Sequence, residues 1–350
     1  MKTSSNNKKI IFLVDDNTTN LTTAEDVLSN QYRLISLTSA AKMFAALGKF
    51  KPDLILLDVE MPEMSGFEAM KKLKSNDLYS QIPVIFLTGC TDPVSEARGI
   101  ELGAVDFILK PFSVPVLLNR IKNHLQIDEL VRERTAQLAR RTEQLVLLQN
   151  GIVHTFADLV ENRDVNTGGH ISRTAVYYKI LLDEMLNREV YAQEIRNWNK
   201  ESVILSARLH DLGKIAISDS ILNKPGHLTE EEFEIMKTHS IAGERIIEKA
   251  IQQTGDAEFL QNAKLIAVSH HECWDGSGYP YGLKGTEIPL QGRIMAIIDV
   301  YDALVSKRPY KEPFTHEEAV EIIKNDSGKK FDPKIFEVFY EINKDFLSSC

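Results

Sequence analysis

No apolar run in this 350-residue chain approaches the length of about 20 residues needed to span a bilayer. Runs such as Ile10 to Val14 stop abruptly, here at Asp15 and Asp16, and no signal peptide or anchor is visible. The expectation is a cytoplasmic protein with no membrane partner. Cysteine is scarce. Cys90, Cys273 and Cys350 are far apart and odd in number, which suits reduced thiols and excludes a disulfide framework. Positive charge is in deficit as well. A formal net charge of -9 argues against binding long nucleic acid, although a small anionic nucleotide in a metal-lined pocket remains compatible with it. Internal repeats and low-complexity tracts are absent. What is present is an ordinary globular composition, 43% hydrophobic and 26% charged, long enough for about two domains of roughly 150 residues.

From Lys9 to about Leu125, short apolar runs alternate with segments of helical periodicity. The runs are Ile10 to Val14, Tyr32 to Ser36, Leu54 to Leu57, Val84 to Leu87 and Asp106 to Ile108. This rhythm predicts an α/β doubly wound domain over residues 8–125, with function at the carboxyl ends of the strands. Polar residues sit there: Asp15 and Asp16 after the first run, Asp58 after the third, Thr88 after the fourth and Lys110 after the fifth.

Residues 126–150 are charged and free of glycine until Gly151 and free of proline. Val131, Leu138, Leu145 and Ile152 recur every seven positions, which predicts a helical linker with a coiled-coil seam and a homodimer. Arg134 and Arg141 occupy the other seam position before Leu148, so a solvated connector helix is the alternative. From residue 151 to 350 no strand rhythm returns, and Ile171 to Leu186, Thr229 to His239 and Asp256 to Ser269 have helical spacing. That half reads as an all-α bundle. Thr229 and Glu232 form a capping box for a helix with His239 near its end.

Carboxylates crowded at one sheet edge repel one another and commonly hold a divalent cation, with oxygen-rich surroundings favouring Mg. An aspartate beside it can take a phosphoryl group while a lysine offsets the added charge. The set Asp15-Asp16, Asp58 before Val59-Glu60-Met61-Pro62, Thr88-Gly89 and Lys110-Pro111-Phe112 closely resembles the receiver domain of bacterial response regulators. The resemblance implies phosphorylation of Asp58 by a sensor histidine kinase and Mg held at Asp15 and Asp16. It also implies Thr88 and Lys110 at the phosphoryl group, and Phe107 as the aromatic switch.

In the second half, five of the nine histidines fall into four short patterns. These are Thr167-Gly168-Gly169-His170, His210-Asp211 followed by Lys214, His239, and the doublet His270-His271, with Asp299 further on. Imidazoles and carboxylates are ligands for Mn, Fe, Ni or Zn, and Asp211 is placed to bridge two ions. Two such ions lower the pKa of a bound water and clamp phosphoryl oxygens. If the helix carrying His210 continues, Lys214 shares its face and its ammonium can stabilise charge on phosphate. His124, His154, His227 and His316 read as ordinary structural histidines, and Glu272 as a supporting residue.

With Asp275-Gly276-Ser277-Gly278-Tyr279-Pro280, Asp299-Val300-Tyr301-Asp302 and Arg308-Pro309-Tyr310-Lys311, these residues resemble the HD-GYP domain, the cyclic-di-GMP phosphodiesterase branch of the HD metallohydrolases. The resemblance implies hydrolysis of a bis-(3'-5') cyclic dinucleotide to pGpG or GMP by a metal-activated water, with Fe, Mn or similar ions. It places Tyr279, Arg308 and Lys311 at the substrate, with Arg293 and Asp302 in support. The Tyr279 loop suits stacking on a purine. Some members carry a glutamate, and a third ion, where this chain has Asn166, so two metals are expected. The alternatives are a 3',3'-cyclic GMP-AMP hydrolase, and a module that binds cyclic dinucleotide or docks a diguanylate cyclase without hydrolysis.

Overall fold

A computed structural model of the chain describes residues 8–89, 93–164, 169–255, 257–306 and 312–347. The chain divides into two compact units, residues 1–142 and 143–350. No helix among the described residues is long and apolar enough to cross a membrane.

In the first unit strands and helices alternate: β1 (Ile10–Val14), α1 (Thr18–Leu28), β2 (Arg33–Leu37), α2 (Ala40–Leu47), β3 (Leu54–Asp58), α3 (Gly66–Lys74), β4 (Val84–Thr88), α4 (Pro93–Glu101) and β5 (Asp106–Leu109). The strands form one parallel sheet in the order β2-β1-β3-β4-β5. Their near-continuous apolar sequences follow from burial on both faces. Ile11, Leu13, Leu54, Leu56, Ile85 and Ile108 pack against Leu21, Ala24 and Leu28 of α1 and against Leu117, Ile121 and Leu125 of the helix that follows β5. The alternate residues Phe12, Val14, Ile55, Leu57, Phe86 and Phe107 pack with Met43, Met70 and Leu73 on the other face. All strands run the same way, but the strand order winds outward in opposite directions from β1 and β3, so the switch point of the sheet lies where Asp15 and Asp58 emerge.

The next helix, α5 (Val114–Arg163), is continuous over 50 residues and contains the whole segment expected as linker. Its seam positions face solvent, with Val131 57%, Leu138 64%, Leu145 66% and Ile152 46% exposed, and Leu159 extends the series at 60%.

The second unit is helical, as the spacing predicts: α6 (His170–Asn187), α7 (Ala192–Ile195), α8 (Lys200–Ala207), a 3-10 turn (Leu212–Ala216), α9 (Asp219–Leu222), α10 (Glu230–Thr254), α11 (Glu258–Ser269), a 3-10 turn (Gly285–Glu287), α12 (Leu290–Val305), α13 (His316–Asn325) and α14 (Pro333–Leu347). Tyr177, Tyr178, Leu181, Ile294, Ile298 and Phe339 belong to its main core. Thr229 and Glu232 do form a capping box at the start of α10. The helix does not end soon after His239, however. It runs to Thr254 because nothing stops the turn before Gly255, whose φ of 91° is open to glycine at low cost.

One close approach fixes the first unit's polar edge. A Cβ at Gly66 would lie 2.2 Å from the Asp58 carbonyl oxygen and 2.9 Å from Val59 Cα, so only glycine lets α3 start against the end of β3. Gly66→Ala should therefore cost roughly 1–3 kcal/mol by overpacking. Hydrogen exchange should accelerate in peptides covering Ile55–Asp58 and stay unchanged in peptides covering α12; unchanged exchange at β3 would contradict the steric argument.

Candidate metal centres

Two groups of ligating side chains lie close together in the second unit. The Asp211, His239, His270 and His271 ligand atoms fall within 4.8 Å of one another, and so do those of His170, His210 and Asp299. All seven residues that the sequence singles out as ligands are therefore in one place. Asp211 joins the groups: its Oδ1 lies 3.5 Å from His239 Nε2 and its Oδ2 lies 3.3 Å from His210 Nε2.

Each ring's orientation has a local cause. The Nδ1 of His210 is 2.9 Å from the Ala207 carbonyl oxygen, that of His239 is 2.7 Å from the Met236 oxygen, and that of His270 is 3.0 Å from the Ile266 oxygen. A carbonyl only accepts, so Nδ1 carries the proton and Nε2 presents a lone pair to the centre. His170 follows the same rule with a carboxylate, its Nδ1 lying 2.7 Å from Asp302 Oδ2. The buried Asp302 is held in turn by Arg173, whose Nε donates to it at 2.7 Å. The result is a cluster of inward-facing lone pairs. His170 Nε2 and His210 Nε2 are only 3.1 Å apart, and the buried Nε2 atoms of His239 and His270 have no hydrogen-bond partner among the described residues. Leaving a buried polar atom unsatisfied costs on the order of 1–3 kcal/mol. A cation removes that cost and the lone-pair repulsion together, so this donor set fits metal ions of the imidazole-preferring kind.

Charge agrees with geometry. Burial lowers the pKa of His239, of His271 and of His270, the last to about 3, which keeps these rings neutral and able to ligate. Burial alone would also lower His210, but the Asp211 and Asp299 carboxylates outweigh it and the net shift is upward. Burial alone would raise Asp211, yet the surrounding positive groups, Lys214 first, hold its pKa well below the usual carboxylate range.

Lys214 reaches this centre by a different route from the one its spacing suggests. The helix that precedes His210 ends at Ala207, His210 and Asp211 lie in a turn, and Leu212–Ala216 continues as 3-10 helix. In a 3-10 helix positions three apart eclipse, so Lys214 pairs with Asp211 (Nζ to Oδ2, 2.8 Å) instead of sharing a face with His210. The close fit depends on Gly213, where a Cβ would lie 1.8 Å from the His239 carbonyl oxygen.

Some groups around the centre carry no motif in the sequence. Asp164, nearly buried, accepts from Lys214 at 2.9 Å. Its neighbour Arg163, at the end of α5, donates to the carbonyls of Ile215 and Ile217 at 2.7 and 2.8 Å and also to that of Lys214. Glu161 accepts from the His170 backbone at 2.6 Å. The only sequence signal for them is an Arg-Asp pair closing a long helix shortly before His170. Glu272 is a loop organiser: its two carboxylate oxygens accept from the Tyr281 and Leu283 backbone amides at 2.7 and 3.0 Å, and the intervening loop brings Tyr279 against His271 with ring centroids 4.8 Å apart.

Not every expected residue comes to the centre. Arg293 is buried elsewhere, donating to Asp332 at 2.8 Å and to the Ile288 carbonyl, with its guanidinium over the Tyr191 ring at 4.9 Å. The sequence expectation puts Arg293 in support of substrate; in the structure its charge is engaged with Asp332 in a clamp away from the ligand cluster. Asp302 supports His170 instead of touching the cleft. Arg308, Lys311 and Asn166 lie outside the described residues. Three of the four histidines set aside find ordinary partners, His124 with Asp106, His154 with Arg208, and His316 with Tyr301 and Asn343.

In the first unit, Asp15, Asp16 and Asp58 place carboxylate oxygens within 4.8 Å of one another, the donor set a hard cation prefers. Lys110 Nζ lies 2.6 Å from Asp15 and 2.8 Å from Asp58. Burial raises the Asp58 pKa against the pull of Lys110, and Lys110 itself is raised because these two ion pairs outweigh its own burial. Thr88 is buried at the end of β4, and Phe107 packs on Phe86 with centroids 5.2 Å apart.

Comparison with known proteins agrees with this division. The model of the response regulator receiver domain matches residues 11–122, and that of the HD domain matches residues 154–335. A probable cyclic di-GMP phosphodiesterase of Vibrio cholerae is 42% identical over 345 residues, 96% of this chain and 78% of that protein. The cyclic di-GMP phosphodiesterase response regulator RpfG of Xanthomonas campestris is 36% identical over 289 residues, 81% of this chain and 73% of that protein. The 3'3'-cGAMP-specific phosphodiesterase 2 of Vibrio cholerae is 41% identical over 197 residues, 56% of this chain and 35% of that protein.

The Asp302 carboxylate offers a direct test of the tautomer argument. Asp302→Asn should weaken transition-metal affinity by about 10- to 100-fold, as loss of a ligand's supporting partner does. Competition against a chromogenic chelator measures it, and unchanged affinity would show that the His170 ring needs no such support.

Proposed function

We propose a function from one premise: the chain belongs to the family of response regulators in which a receiver domain precedes an HD domain, as in its cyclic di-GMP phosphodiesterase relatives. On that footing the protein is a metal-dependent cyclic dinucleotide phosphodiesterase, hydrolysing cyclic-di-GMP to pGpG or onward to GMP. The observation that carries the reading is the convergence of imidazole Nε2 lone pairs and two carboxylates at the floor of a cleft lined also by Lys214 and Tyr279.

His170, His210 and Asp299 would hold one ion, His239, His270 and His271 a second, with Asp211 between them. When bound, such ions activate water and offset negative charge on a phosphodiester. The chain's own residues supply the rest. Lys214, its pKa raised because Asp211 and Asp164 outweigh its burial, stays charged and can meet a non-bridging phosphoryl oxygen. Asp164 keeps that ammonium from collapsing wholly onto Asp211, and the Glu272-braced loop sets Tyr279 where a base can stack. A phosphodonor such as a histidine kinase would act at Asp58, with Mg at Asp15 and Asp16, and Lys110 would transfer its pairing to the phosphoryl group. We place the receiver at residues 8–125, the linker at 126–150 and the hydrolase at 151–350.

A second substrate, 3',3'-cyclic GMP-AMP, is favoured by the relative specific for it that matches this chain at 41% identity. Metal-replete protein should turn over cyclic-di-GMP, and His210→Ala and Asp211→Ala should each lower kcat by roughly 100-fold or more. Turnover that survives both substitutions and chelation would overturn the assignment; side-by-side rates on the two dinucleotides rank them.

The exposed heptad series of α5 supports a homodimer through the linker. Changing Val131, Leu138 and Leu145 together to serine should halve the mass seen by light scattering, while an unaltered mass would place any self-association elsewhere.

A further inference from the structure

The cleft above the ligand cluster measures about 260 Å³. Pockets that enclose one drug-sized molecule run from roughly 300 to 1,000 Å³. A cyclic dinucleotide, with two nucleosides, is too large to be enclosed, so a phosphodiester enters the cleft while bases rest on its rim. One stretch of rim is built for a base. Met236 and His239 of α10 line the cleft, and one turn earlier Phe233 stands 45% exposed. Its ring centroid lies 6.4 Å from that of Tyr279, at 83° to it. The Lys237 ammonium sits beside both rings, 5.0 Å from the Phe233 centroid and 5.6 Å from the Tyr279 centroid, and is paired with Glu234 at 2.6 Å.

Resting on the cyclic dinucleotide reading, we infer that Phe233 and Lys237 form a purine-recognition rim, with the aromatic rings holding a base and the ammonium selecting guanine. The rings supply stacking surface, which any base can use. Selection needs a polar contact. Beside N7, guanine offers the acceptor O6 where adenine presents an N6 amino donor. An ammonium has only donors, so guanine satisfies it and adenine opposes it. The side chain is free to swing from Glu234, whose own carboxylate remains in solvent after the exchange.

Steady-state kinetics of the metal-loaded full chain test this on three substrates: cyclic-di-GMP, 3',3'-cyclic GMP-AMP, and bis(p-nitrophenyl) phosphate, a diester without a purine. Phe233→Ala should raise KM for both dinucleotides by roughly 5- to 100-fold and leave the rate on the nitrophenyl diester within about twofold. Lys237→Met should shrink the ratio of kcat/KM for cyclic-di-GMP over cyclic GMP-AMP by about fivefold or more, again without change on the nitrophenyl diester. Unchanged KM values and ratio in both variants, or a loss that is equal on the diester lacking purines, would overturn the rim. Failure of the underlying reading looks different: the unmodified protein would cleave the nitrophenyl diester and neither dinucleotide.

Discussion

A backbone carbonyl has no proton to give, and the second unit uses that fact three times around one point. Ala207, Met236 and Ile266 each present an oxygen to a histidine Nδ1, while the Asp302 carboxylate does the same for His170. Once the proton is committed there, the opposite ring nitrogens must point lone pairs inward. The rest follows from accommodating them: burial that keeps His239, His270 and His271 neutral, a carboxylate between the two groups, and a lysine whose charge balances it. A cation at the middle of such a centre would offset the lone-pair repulsion, so metal binding would add to the stability of the fold around it.

The receiver solves the opposite problem with the same economy. Carboxylates converge at the switch point of a parallel sheet, and Lys110 spans Asp15 and Asp58. The sheet is buried on both faces, so these charges have only the strand ends to occupy. Positions that look like loop residues in isolation are dictated by the packing of the strands beneath them.

Much of this was legible in the sequence because the decisive patterns are short. Five apolar runs announce the sheet, and each lies within a residue or two of the strand it predicts. The seven clustered histidines and aspartates were legible because imidazole and carboxylate have few reasons to recur at these spacings beside a glycine-rich aromatic loop. Local geometry was less accessible. The change from α to 3-10 helix after His210 depends on Gly213 fitting against His239, a contact between segments far apart in the chain. Arg293 looked available because its partner Asp332 lies 39 residues away. Glu161 near the end of α5 and Asp164 just after it follow a long solvated, charged middle stretch, where nothing separates an acid that points inward from the many that do not.

Arg163 closes the fifty-residue helix by donating to the carbonyl of Lys214 and to those of Ile215 and Ile217 just beyond it. That grip makes the helix terminus a fixed pawl. Sliding it by a single residue would advance the guanidinium by about 1.5 Å, strip several carbonyls at once and withdraw the neighbouring aspartate from the ammonium. Axial slippage at this end of the helix is therefore opposed by several bonds at once.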